Sequence, residues 1–228
     1  MTTHRTLVSC LLAATLLLTA SSASADPLYK LHYRGTTGVG ESVKLHAPGL
    51  LADGRTVYAG QMRYRYRGDD FVSYCVDIDS WAGSSPVSEL NVDQLNRGDE
   101  IAYLFLNEAE AVSDDLAGAA LQVAMWELLY EHESQALNVM PQPGDGFSIL
   151  VRDGNSTDPA VVDAANALLA TLGTMPAGWD AGGSVVLLHS ECRQDTIVPT
   201  GQLPVPEPAT MAILGMGGVV LAVRRRRT

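Results

Sequence analysis

Cysteine, aromatic residues and positive charge are all scarce in this chain of 228 residues. Three cysteines, of which Cys10 falls in an N-terminal apolar run, are too few for the disulfide framework that staples a small secreted fold. Fifteen Lys and Arg stand against 26 Asp and Glu. Between residues 26 and 204 the imbalance is 10 basic against 25 acidic, a net −15. That excludes nucleic acid as a partner, because phosphate binding needs a basic footprint. It also disfavours docking of the body on anionic lipid. His32, His46, His132 and His189 show no metal spacing, and His189 with Cys192 makes only two ligands. Neither a Gly-rich phosphate loop nor HExxH occurs, so no cofactor or metal is expected. No internal repeat is visible. Hydrophobic content of 46% is enough for a real core.

Both ends read as addresses. Residues 1–25 place Arg5 before the apolar run 7–18 and close on Ala23, Ser24 and Ala25, the layout of a secretory signal peptide cleaved before Asp26. At the other end Pro206, Glu207 and Pro208 precede apolar residues 209–223, then Arg224, Arg225, Arg226 and Arg227. Fifteen apolar residues are short for a helix that spans a bilayer upright, which takes about 20. The arginines would stay cytoplasmic by the positive-inside rule. The sequence VPEPATMAILGMGGVVLAVRRRR resembles the PEP-CTERM sorting signal of Gram-negative bacteria. The resemblance implies an exported protein held briefly in the inner membrane by a C-terminal helix. An exosortase-type enzyme would process it near Pro-Glu-Pro and deliver it to the cell surface or extracellular matrix.

The division expected is therefore a signal peptide (1–25), one domain (26–195), a linker (196–204) and a sorting signal (205–228). Within the domain, 28–33 and 42–46 read as short strands. Residues 61–67 alternate Met62, Tyr64 and Tyr66 with three arginines, a half-buried strand. Turn residues Gly68, Asp69 and Asp70 lead into a hairpin partner over 71–81. Helical spacing begins near residue 91, with Gly98 as a break. Ser113 is the expected cap of a helix reaching about Glu131. Residues 134–157 read as a loop with a short strand at 147–151. Asp158 and Pro159 start another helix, ended by Gly173, and 184–189 is the last strand. The fold class is α+β: a β portion with helices inserted before the last strand.

One helical stretch, Leu-Ala-Gly-Ala-Ala-Leu-Gln-Val-Ala-Met-Trp at 116–126, is apolar on every side apart from Gln122. A buried amide without partners costs roughly 1–3 kcal/mol, so something must satisfy or use it. In the strand over 71–81, which holds Tyr74, Cys75, Val76 and Asp77, period two puts Val72, Tyr74, Val76 and Ile78 on the core face. Phe71, Ser73, Cys75, Asp77 and Asp79 share the other, where polar neighbours would activate the thiol. A thiolate held against the Gln122 amide would attack its carbonyl, expel ammonia and leave an internal thioester, with proximity as the main driving factor. Asp77 would orient or relay a proton, and Trp126 and Tyr74 would exclude water.

Tyr74-Cys75-Val76-Asp77 and Leu121-Gln122-Val123-Ala124-Met125-Trp126 also resemble the two signatures of bacterial surface thioester domains. Those are an aromatic-Cys-aliphatic-acid motif on a strand and a Gln-x-Ala-Ile-Trp motif on a helix, with Met125 here in place of Ile. The resemblance implies a β-barrel part with a helical part, and a Cys75–Gln122 thioester. Such a bond acylates an amine or hydroxyl on a surface protein or polysaccharide once, without turnover. Left open beside it are a non-reactive matrix module with a Cys75–Cys192 disulfide, the default for two cysteines in an oxidising compartment, and a cysteine hydrolase using His132.

Overall fold

The computed structural model describes residues 29–203 except 133, 134, 143, 145 and 151–156. The signal peptide, the sorting signal and the far end of the 147–151 strand lie outside the described residues.

The two short strands expected at the start are one long strand, β1 (Tyr29–His46), broken by irregularities on either side of Thr36. It pairs antiparallel with β2 (Thr56–Tyr66), in which Met62, Tyr64 and Tyr66 are buried as the alternation predicts. A two-residue turn follows. Arg67 and Gly68 both take positive φ, 51° and 107°, the geometry that matches the twist of a tight hairpin. β3 (Asp69–Cys75) returns alongside β2. β4 (Ser85–Asn91), β5 (Ser148–Ile149), β6 (Val185–His189) and β7 (Thr196–Pro199) complete one antiparallel sheet in the order β2-β3-β7-β6-β4-β1-β5. Because β1 pairs with both β2 and β4, six of these strands form a closed circuit of hydrogen bonding.

Close backbone approach sets one point of that circuit. Gly40 and Gly60 are register partners with φ of 148° and 150°, and a Cβ on Gly60 would stand 2.6 Å from the Gly40 Cα. No side chain fits there.

Three α-helices among the described residues complete the α+β fold: α1 (Gly98–Glu108), α2 (Asp115–Tyr130) and α3 (Pro159–Thr171). Gly98 begins α1 instead of breaking a helix, and only glycine fits there, because a Cβ would collide with the Val92 carbonyl. Asp114, and not Ser113, caps α2: its carboxylate accepts from the Ala117 N–H at 2.8 Å. Asp158 caps α3 with Pro159 at its start, and the chain runs past Gly173 in a single 3₁₀ turn. α2 packs against β1, β2, α1 and α3. Every residue from Gly118 to Leu128 is buried, the apolar ones as their spread over all sides of the helix requires, and Gln122 and Glu127 with them. At Gly118 the helix meets β1 so closely that a Cβ would stand 2.9 Å from the Val39 carbonyl oxygen.

Part of the expected linker belongs to the sheet. β7 lies between β3 and β6, and Thr196, Ile197 and Val198 are fully buried. Among the described residues no helix is long and apolar enough to cross a membrane.

Candidate functional site

The hairpin partner expected over 71–81 ends its pairing with β2 at Ser73, opposite Met62. Two residues on, Cys75 has no strand partner on that side among the described residues. The Gln122 carboxamide fills the vacancy. Its Oε1 accepts from the Cys75 N–H at 3.1 Å, and its Nε2 donates to the Cys75 carbonyl at 2.7 Å. One residue giving and receiving a bond with the same partner is the pattern of a hydrogen-bonded antiparallel pair. The amide thus stands in for a strand. The Cys75 Sγ lies 3.5 Å from the same Oε1. The other flank of Cys75 is fixed by pairing with Thr196, and the Val76 N–H donates to Asp195 at 3.1 Å.

Residues four apart on α2 share a face, and Gln122, Trp126 and Tyr130 form such a row. The Tyr130 hydroxyl accepts from the Ile78 N–H at 3.0 Å, so the loop after Cys75 is held to α2 at two places two turns apart. Tyr130 was not among the expected site residues. Its sequence signal was the spacing of eight from Gln122. Trp126 is buried and tilts against Phe147 at 6.4 Å between centroids. Among the described residues its buried indole N–H makes no hydrogen bond of ordinary geometry, but it lies near enough to the Cys75 thiol to act on it. Tyr74 is buried edge-on to Phe105 of α1, with centroids 6.2 Å apart.

The expected face assignment of β3 is corrected. Val72 is 38% exposed, whereas Phe71, Ser73 and Cys75 are buried together with Tyr74 and Val76. Period two separates core from solvent only where one face is wet, and from Ser73 onward β3 is covered on both. Cys75 therefore does not sit in an activating polar patch. Burial pushes its thiol well above the usual range, and the negative charge of Asp77 adds to this; the Trp126 indole and backbone N–H groups oppose it. Asp77 accepts from the Asp79 N–H at 2.7 Å in its own loop. Burial raises its own carboxyl pKa, against that hydrogen bond.

No bridge joins the two cysteines. Cys75 is buried and free, and Cys192 is free and exposed on the turn between β6 and β7. Among the described residues no cluster of three or more His, Cys, Asp or Glu could hold a metal ion. A cavity of about 300 Å³ opens beside the site, lined by Trp126, Met62, Ile78, Tyr58, Trp81 and Gln194 among others.

The tail supplies what the fold does not. Residues 204–227 match the PEP-CTERM protein-sorting motif. That span holds Pro206, Glu207, Pro208 and Arg224 to Arg227, all outside the described residues. The motif marks an exported protein, anchored transiently at the membrane and processed by an exosortase. No curated protein and no solved structure matches the chain.

Proposed function

We propose that this exported protein stores an internal thioester between Cys75 and Gln122 and uses it once, to attach itself covalently to an amine or hydroxyl on a surface protein or polysaccharide. The observation that carries the reading is the convergence of the Cys75 Sγ and the Cys75 N–H on one oxygen, Gln122 Oε1, at 3.5 and 3.1 Å. The sulfur attacks the carboxamide carbon, the C–N bond breaks, and ammonia leaves with the thiol proton. Charge develops on Oε1 in the tetrahedral intermediate, and the N–H already aimed at it stabilises that charge. The product is neutral. In a site that holds the thiol protonated, a neutral thioester is cheaper to bury than a thiolate. In the second step a nucleophile entering through the cavity beside Trp126 takes the acyl group, and Cys75 regains its proton as a thiol.

Intact mass of the mature protein tests this. A thioester leaves the chain one ammonia lighter than its sequence, and methylamine labels Gln122 while freeing one thiol. Full sequence mass in native protein, with no methylamine uptake, sinks the reading.

A non-reactive surface or matrix module is the second reading. The observation favouring it is the reciprocal hydrogen bonding of Gln122 with the Cys75 main chain, a sufficient structural reason for a buried Gln.

A further inference from the structure

Positive charge is rare in the body of this protein, and four of its basic residues share one face. Of the ten Lys and Arg between residues 26 and 204, Lys30 and Arg34 on β1, with His32 between them, and Arg63 and Arg65 on β2 stand on the outward side of the two strands. On β2 the residues on either side of Arg63, Met62 and Tyr64, are buried, and His32 lies directly opposite Arg65. Arg34, Arg63 and Arg65 line an open cavity of about 430 Å³ with Asp70 and the half-exposed Val72.

Few of the guanidinium donors there are committed. Arg65 gives two N–H groups to the Asp70 carboxylate, at 2.8 and 2.5 Å. Arg63 gives one to the Thr36 carbonyl at 2.9 Å. Arg34 makes no side-chain hydrogen bond or ion pair among the described residues, although its charge reaches Asp70 and helps hold that carboxyl low. Each guanidinium carries five donors, and its fork fits a carboxylate.

We propose that this face binds a carboxylated polysaccharide, its carboxylates pairing with Arg34 and Arg63. Side chains two apart on a strand are about 6.6 Å apart and neighbouring strands about 4.8 Å apart, so the cations form a short lattice that suits a polymer with regularly repeated charge. The acidic remainder of the body selects the kind of polyanion. A rigid duplex or a flat anionic bilayer large enough to cover this strip also meets the acidic remainder of the body, at 25 acidic against 10 basic residues between 26 and 204, and is repelled. A single flexible chain follows the strip alone. Export, marked by the motif at 204–227, places the protein where such polymers lie. This site is independent of the thioester reading.

The test measures binding of the full chain to polygalacturonate, with dextran as the neutral control and polyglutamate, duplex DNA and phosphatidylglycerol vesicles as competing polyanions. Polygalacturonate should bind in preference to all of them, more weakly as salt rises. Arg34→Gln with Arg63→Gln should weaken binding about tenfold or more, while Arg193→Gln leaves it unchanged. Arg34→Gln alone removes no structural bond, so its weaker binding cannot be ascribed to misfolding. Unchanged affinity in the double variant, or tighter binding of DNA, vesicles or polyglutamate, overturns the proposal.

Discussion

Gln122 and Cys75 lie 47 residues apart in sequence, yet the side chain of one completes the main-chain hydrogen bonding of the other, at 3.1 and 2.7 Å. Removing the two partners should therefore have unequal consequences. Gln122→Ala leaves a buried N–H and a buried C=O unpaired and opens a void, and should cost about 3 kcal/mol or more. Measured against the parent in its free-thiol form, Cys75→Ala keeps both main-chain bonds and loses only one buried sulfur, about 1–2 kcal/mol. Urea unfolding of the two variants measures the difference. Equal losses would mean that the amide is not serving the backbone.

Asp77 should make the protein less stable as pH rises. Burial holds its carboxyl above the usual carboxylate range. The folded state then keeps the proton longer than the unfolded chain, whose carboxyl titrates near about 4. Stability accordingly falls as pH climbs through the folded-state value, and the deficit persists above it. Asp77→Asn keeps an acceptor for the Asp79 N–H and removes the charge. Its Tm should exceed that of the parent at pH 7 and meet it at pH 3. Identical curves at both pH values would remove Asp77 from the account.

Gly60→Ala tests the closed strand circuit. The new Cβ would meet the Val39 carbonyl and the Gly40 Cα, on a backbone with φ of 150°. Neither obstacle is a flexible side-chain end, so the strands must part. The expected loss is about 3 kcal/mol or more by denaturant titration. Gly178→Ala, at a positive φ with nothing within 4 Å, should lose less.

What the sequence disclosed follows from how local each signal was. The alternation in β2, the all-apolar helix around Gln122 and the Asp158-Pro159 start each depend on residues a few places apart, and each was legible. β4 was not, because Ser85-Pro86-Val87-Ser88 shows no clear apolar face until β1 and β6 pair on either side of it. Thr196–Pro199 looked like the head of a linker, being four residues long and followed by Pro/Gly punctuation. Only its insertion between β3 and β6 makes it core. The cap of α2 moved one residue, from Ser113 to Asp114, a shift that acidic neighbours do not resolve. The proximity of Cys75 to Gln122 was inferred from a polar residue in a greasy helix. The chemical setting of the thiol was misjudged, since strand alternation says nothing once both faces are covered.

The two cysteines differ enough in setting to be counted separately. Cys192 is exposed on the β6–β7 turn, and Cys75 is buried with its thiol held protonated. Thiolate is the reactive form, so native protein should react with maleimide at Cys192 alone. Complete unfolding under mildly acidic conditions, where a thioester hydrolyses slowly, then separates the two readings of the site. A free Cys75 takes up a second equivalent. A Cys75 joined to Gln122 takes up none until methylamine is added, and then one. A second equivalent labelled in the native state would mean that the site opens to solvent far more readily than its packing against Trp126 and the 122–130 row allows, and a stored electrophile would not survive there.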